Sequence, residues 1–394
     1  MRLLIKLAYR NITHAGLRTW LNVFVLSLAF VLIIWMQGLY DGIARDVMRS
    51  TINMEIGGGV FWQKNYDPYD PLTLGDAHAP IPEALKKLIK RGKAAPILIV
   101  SGSVFPKGRI HNIRVKGIDP HQKVLRLPTN VLWPDSLPDA VPALIGSQMA
   151  HNTGLKRGDY VTLRWRDVNG VFDATDLKIV YIMNTNVQTV DVGQVWIPLE
   201  RLWKMSAMPG QATLIVMDRE LKNIPADTSQ WVFRNQDYLL KEIKRFIRNK
   251  KASSYMMYIL LLSLALLSIF DTQVLSVFRR RKEMGTMMAL GMTRRNLVAL
   301  FTLEGVMNGF LALIVGALYG TPLLIYTARH GIALLDISRQ TGMAFSPVLY
   351  PVYGFVLVIS TTIILLISVV IVSYLPVRKI SALKPTEALK GKIA

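Results

Sequence analysis

Four apolar runs, each long enough to cross a bilayer as a helix, constrain this sequence more than any other feature. A hydrocarbon core about 30 Å thick takes roughly 20 mostly apolar helical residues. The runs cover residues 20–40 (WLNVFVLSLAFVLIIWMQGLY), 255–278, 297–326 and 350–374, with ordinary polar sequence between them. Arg2, Lys6, Arg10 and Arg18 precede the first run, a basic-then-apolar order that signal peptides share. This run is longer than a typical signal core and no A-x-A-like cleavage site follows it, so an uncleaved anchor is expected.

Charge orients the spans. Arg279, Arg280, Arg281, Lys282, Arg294 and Arg295 crowd the loop between the second and third runs, with Glu283 as the one acid. Arg378, Lys379, Lys384, Lys390 and Lys392 follow the fourth run, whereas the loop before it holds only Arg329 and Arg339, partly offset by Asp336. The positive-inside rule then puts both termini and the middle loop in the cytoplasm and residues 41–254 on the far side. The basic clusters thus sit where topology demands them, and nucleic acid is not an expected partner. With no cysteine, neither a disulfide framework nor a thiolate metal site can form. The six histidines show no metal-ligand spacing.

The far-side segment has a mixed α/β texture. A short helix is expected at 83–91, and strands at 97–105, 110–118, 160–165, 177–183, 195–198 and 212–217. Lys156-Arg157-Gly158-Asp159 signals a turn, Gly57-Gly58-Gly59 a flexible lead-in, and 130–142, with Pro134, Pro138 and Pro142, a connector. In 237–251, Leu239, Leu240, Ile243, Phe246 and Ile247 recur at helical spacing among basic residues. Such a stretch suits a surface helix, a helix on lipid headgroups, or a stalk carrying motion between membrane and domain. In the third run Gly305, Gly309, Ala312, Gly316 and Gly320 line one helix face, a pattern for close packing within the chain or between chains, of which the former is preferred. Asp271 lies inside the second run, where a carboxylate costs roughly 2.5–3.5 kcal/mol; it is expected near the cytoplasmic end, paired or protonated.

Three segments carry a family resemblance: LAYRNITHAGLRTWL at 7–21, FRRRKEMGTMMALGMTRRN from Phe278 with the later Leu303-Glu304-Gly305, and YLPVRKISALKPTEAL at 374–389. In that order they resemble the entry, middle-loop and tail motifs of the FtsX-like, MacB-type (type VII) ABC transporter permeases. ALIGSQMAHNTGLKRGDYVTL (143–163) and GQVWIPLERLWKMSAMPGQA (193–212) look like the periplasmic core domain, closest in appearance to the lipoprotein-releasing LolC/LolE subunits. Two positions depart: Arg279 stands where the family has Glu, and Asp271 where a polar Asn is usual.

The resemblance implies an α-helical membrane protein with four transmembrane helices and a mixed α/β extracytoplasmic, MacB-like periplasmic core domain inserted between helices 1 and 2. The expected order is a cytoplasmic amphipathic segment (1–19), the first span (20–40), a periplasmic domain with helical stalks (41–254), the second span (255–278), a cytoplasmic coupling segment (279–296), the third span (297–326), a periplasmic loop (327–349), the fourth span (350–374) and a cytoplasmic tail (375–394). Lys282, Glu283, Gly285, Leu290 and Gly291 match the middle motif and by resemblance couple the chain to a nucleotide-binding ATPase subunit. The alternative for that loop is a solvated positive-inside connection.

No G-x-x-x-x-G-K-[ST] occurs, so ATP is expected on a separate chain; this one is expected to hold no cofactor and not to be an enzyme. The implied setting is the inner membrane, with a second permease copy or paralogue, membrane lipids and a lipoprotein cargo as partners. Competing readings are an exporter of antimicrobial or lipid-like compounds, a regulator of cell-wall hydrolases, and, from another class, a membrane-anchored sensor or adhesion subunit without ATP coupling.

Overall fold

The computed structural model of the chain describes residues 17–133, 140–185, 187–221, 224–333 and 348–381. The expectations for 1–16, for Pro134 and Pro138, for most of the 327–349 loop and for the tail beyond 381 fall outside them. The helices are α1 (Leu17–Thr51), α2 (Glu83–Lys90), α3 (Ser147–Thr153), α4 (Gln188–Asp191), α5 (Leu199–Ser206), α6 (Gln236–Leu239), α7 (Lys241–Arg279), α8 (Arg281–Ala289), α9 (Arg294–His330) and α10 (Phe355–Ser381). The strands used below are β1 (Val60–Gln63), β2 (Ala79–Pro80), β3 (Ala94–Val104), β4 (His111–Ile118), β5 (Val141–Gly146), β6 (Tyr160–Arg166), β7 (Phe172–Met183), β8 (Gln194–Pro198), β9 (Gln211–Ala212), β10 (Leu214–Met217) and β11 (Trp231–Arg234).

The chain divides into two compact units. The first comprises Met1–Ile43, Ile247–Ile332 and Leu349–Ala394; the second comprises Ala44–Phe246 and Ala333–Val348. Among the described residues four helices, α1, α7, α9 and α10, contain stretches long and apolar enough to cross a membrane.

Within the first unit α1 is the hub. Val23, Leu26, Phe30 and Ile34 bury against Ala265 and Ile269 of α7, Ala312 of α9, and Leu365 and Val369 of α10. Lipid tails are as apolar as leucine, so this cluster holds by close packing and by polar links rather than by expulsion of water. Such links exist: Asn22 Nδ2 donates to Thr272 Oγ1 at 2.6 Å, and Ser268 Oγ donates to Asn22 Oδ1 at 2.8 Å. At their other ends α1 and α7 share the Asp41–Lys251 ion pair. The amphipathic and apolar stretches of α7 form one unbroken helix from Lys241 to Arg279.

The fourth span differs from its sequence reading. Tyr350–Gly354 is not helical, and α10 starts at Phe355. Pro351 lacks an N–H and biases Tyr350 away from helix. The segment instead lies along α1, where Val352 N donates to Gly38 O at 2.8 Å. A Cβ on Gly38 would sit 2.2 Å from the Tyr353 ring, which explains a glycine there.

The second unit holds a nine-stranded sheet in the order β11-β1-β10-β3-β4-β8-β5-β7-β6, with β6 also pairing β3. The long β3 makes this closure possible: Ala94–Ile97 pair with β10, and Gly102–Val104 pair with β6. β3, β4, β8, β5, β7 and β6 therefore form a ring, with parallel pairing at β4–β8 and β5–β7. Alternation fills it: Leu98, Val100 and Val104 meet Val115, Ile145, Leu163, Ile179 and Val195 in one cluster. Ile97, Ile99, Ile118 and Trp196 belong to a second cluster on the opposite face.

Two readings are corrected here. Gly57-Gly58-Gly59 is no flexible lead-in: Gly57 and Gly59 are buried with positive φ, and Gly58 N donates to Met217 O at 2.6 Å. The backbones of the turn and of β10 come too close for side chains. The expected connector at 130–142 ends early, because Val141 and Pro142 already belong to β5. The turn at 156–159 is present, with Gly158 at φ 94° and Asp159 N bonded to Lys156 O.

Candidate functional site

The connection between α7 and α9 is built by local sequence. α8 ends at Ala289 with Leu290 as its C-cap, and Gly291 takes φ 96°, a left-handed turn that favours glycine. Thr293 then caps α9 by accepting a hydrogen bond from Asn296 N. One side of α8 is held by Met284, buried among Val277, Leu297, Phe301 and Val377, with Met287, Met288 and Met292 partly buried around it. Methionine suits an irregular seat of this kind because its thioether chain adapts.

Arg280 fixes the helix start. Its Nε donates to Glu283 at 2.8 Å and its Nη1 to Glu304 of α9 at 3.0 Å, while the guanidinium lies 4.9 Å from the Phe301 ring centre. In the sequence Arg280 counted only toward orientation and Glu304 only toward the family motif; their pairing was not foreseen. The signal was available: a carboxylate in the opening turns of an apolar helix requires a cation.

Of the residues expected to couple the chain to an ATPase, Lys282, Glu283, Leu290 and Gly291 are exposed and Gly285 is buried. Leu290 is 84% exposed, a large apolar side chain at the corner between two helices. A basic helix with an exposed leucine, anchored from behind by an ion pair and methionines, can seat a soluble partner without moving on its own base.

The glycines of α9 lie apart from that corner. Gly305, Gly309, Ala312, Gly316 and Gly320 are all buried. A Cβ on Gly305 would meet Ser373 Oγ at 2.2 Å; on Gly309, Val369 at 3.0 Å; on Gly316, Phe30 at 3.1 Å; on Gly320, Val31 at 2.5 Å. The stripe thus abuts α10 at one end and α1 at the other. Around Gly305 the polar atoms Thr302 Oγ1, Asn308 Oδ1 and Ser373 Oγ are buried without partners among the described residues.

Asp271, expected to be paired or protonated, finds no pairing among the described residues. It is exposed on α7 and makes no hydrogen bond or ion pair among the described residues, because its position lies on the side of the helix turned away from α1. No group of three His, Asp or Glu able to hold a metal ion occurs among the described residues.

Residues 255–385 match the family described as FtsX-like permease C-terminal. Among solved structures, the extracellular domain of the noncanonic ABC-type transporter YknZ from Gram-positive bacteria aligns with 42% of this chain and 84% of its own length, at 11% identity and a TM-score of 0.26. A search of curated proteins found no match.

Proposed function

We propose, from the FtsX-like permease region that this chain carries at residues 255–385, that it is the permease subunit of an ABC transporter whose ATPase is a separate chain. In this reading the α7–α9 corner is the coupling site. The observation that carries it is α8 itself: a short basic helix, clamped by Arg280 to Glu283 and Glu304, presenting Lys282 and Leu290 outward. Nucleotide-driven motion of the ATPase would push on α8, and the clamp would pass that push to α9.

The work performed is the release of lipoproteins from the outer leaflet of the inner membrane, with the large domain on the periplasmic side and both termini in the cytoplasm. Motion would travel to that domain along the helices α1 and α7, so no pore is needed. Lifting an acylated cargo out of lipid costs about 0.8 kcal/mol per CH₂, which calls for an ATP-driven step. Pairing with a second permease copy or paralogue is supported by Asp271, an exposed carboxylate of an apolar helix that has no partner among the described residues.

Co-purification from detergent tests the assembly, and Gly285→Trp tests the site. The expected result is an ATPase bound to the wild-type chain and cargo-stimulated ATP turnover lost in the variant. An ATPase that fails to co-purify, or turnover untouched by Gly285→Trp, would sink the coupling reading. The cargo is tested by depletion of the chain: acylated proteins should accumulate at the inner membrane, and normal sorting would refute lipoprotein release.

A further inference from the structure

The outer face of the strand ring changes character along β3 and β4. Ile97 and Ile99 lie in an apolar cluster with Ile118 and Trp196, but the next positions on that face are Ser101, Ser103, Arg114 and Asn112. Strand register sets these residues side by side. Ser101 is opposite Arg114, Ser103 is opposite both Asn112 and Arg164, Arg114 neighbours Gln194, and Arg166 is opposite Phe172.

A groove of about 720 Å³ opens over this patch, and its lining includes Arg114, Arg164 and Arg166 but no Asp or Glu. None of the three arginines forms an ion pair among the described residues. Arg114 donates one bond to Pro68 O and Arg166 one to Gly170 O, while Arg164 lies 5.3 Å from the Phe172 ring centre. Each guanidinium carries five N–H donors, so most of them meet no protein acceptor. Gln194 also lines the groove; it is only 5% exposed, and its Oε1 has no partner among the described residues. Two large apolar side chains at the groove, Leu72 and Phe172, are 89% and 65% exposed.

We infer that this groove binds a phosphoester that also carries a free hydroxyl, of the phosphoglycerol kind. Three cations without an ion pair among the described residues, set in one concavity, concentrate anions, and guanidinium forks match phosphate oxygens two at a time. The hydroxyl supplies the donor that Gln194 Oε1 lacks, since a buried acceptor left unpaired is costly. The carbon skeleton lies against Leu72 and Phe172. The same chemistry comes from two sources, a phosphatidylglycerol headgroup or free glycerol phosphate. The inference stands apart from the permease reading, because every residue it uses lies within the second unit.

Calorimetric titration of the full chain in uncharged detergent decides it. One probe is glycerol phosphate; the other is mixed micelles of phosphatidylglycerol, with phosphatidylcholine as the control. Arg164 and Arg166 are exposed, so Arg164→Gln and Arg166→Gln can each be made without touching a core. Binding of glycerol phosphate, weakened about tenfold in either variant, identifies a free phosphoester as ligand. Binding of phosphatidylglycerol micelles alone, weakened likewise, identifies the lipid headgroup. Gln194→Leu should weaken glycerol phosphate more than inorganic phosphate. Absence of binding to both probes, equal binding by wild type and both arginine variants, or preferential binding of hexaglutamate peptide would overturn the assignment.

Discussion

Lys116 is 6% exposed on β4, where its Nζ donates to Thr189 O at 3.1 Å and sits 4.8 Å from the Trp196 ring centre. Burial pulls its pKa down from 10.5 to about 8, with Glu55 raising it and Arg114 lowering it further. Between those two values the unfolded chain holds more protons than the folded one, so stability rises with pH from about 8 to about 10.5. The fluorescence-detected unfolding midpoint of the second unit, followed through Trp196, should increase over that window. In Lys116→Met this particular rise should vanish; a rise of equal size would refute the assignment. Asp191 makes a second case. It is fully buried and accepts hydrogen bonds from Gln148 N and Met149 N at 3.0 Å, closing the start of α3 from a distant part of the chain. Burial raises its pKa while those amides and Ser147 pull it down. Asp191→Ala leaves the amides unpaired in a dry site and should cost about 1–3 kcal/mol per lost partner, read as a lower unfolding temperature. Neither residue was legible in the sequence. Lys116 looks like any strand lysine until its neighbours are known, and Asp191 caps a helix more than 40 residues away.

At the scale of elements, hydropathy located all four long helices because hydrocarbon length is a local property of sequence. It misplaced the start of α10, where docking of Tyr350–Tyr353 on α1 decides the conformation. Strands with clear β-branched runs, such as β4, β6 and β8, were visible, whereas β1, β5 and β11 were not. β1 and β11 are four residues each, and β5 hides behind Pro142, so pairing rather than propensity makes them strands. The glycine stripe was legible as a pattern, but its neighbours were not. Gly305→Val would place carbon atoms where Ser373 and Gln273 stand, and α9 cannot withdraw without losing its contacts with α10. The expected result is destabilisation of about 1–3 kcal/mol, seen as earlier thermal unfolding in detergent. Gly291→Ala, in open space but at φ 96°, should cost less and act only on the α8–α9 turn. Arg280→Ala separates anchoring from docking at α8. It removes the link to Glu304 while leaving Lys282 and Leu290 in place, so under the proposed coupling role the ATPase should still bind but respond more weakly. Loss of binding instead would mean that Arg280 belongs to the docking surface.

For the molecule as a whole, Asp271 poses the question that a single chain leaves open. It lies eight residues before the end of α7, about 12 Å along the helix axis from Arg279, and is exposed. A carboxylate there, facing lipid, carries a penalty of roughly 2.5–3.5 kcal/mol unless something polar covers it. Only 17% of the most apolar stretch of α7 is buried within the described residues, which leaves most of that stretch available to lipid or to a neighbour. Water near the cytoplasmic surface would relieve the charge without an interface; a second permease would bury it against another polar group. The sequence contains no cysteine, so a single cysteine placed at this position is unique in the chain. If α7 lines the contact between two permeases, Asp271→Cys in native membranes should give, on mild oxidation with a copy of itself or with a cysteine-bearing paralogue, an adduct near twice the 44.3 kDa mass. Cysteine at Leu264, also exposed on α7 but about two turns further along, maps how far the contact extends. Labelling of both positions by a lipid-soluble maleimide, with no adduct at either, would place this face of α7 in lipid and remove the support that Asp271 gives to a paired permease.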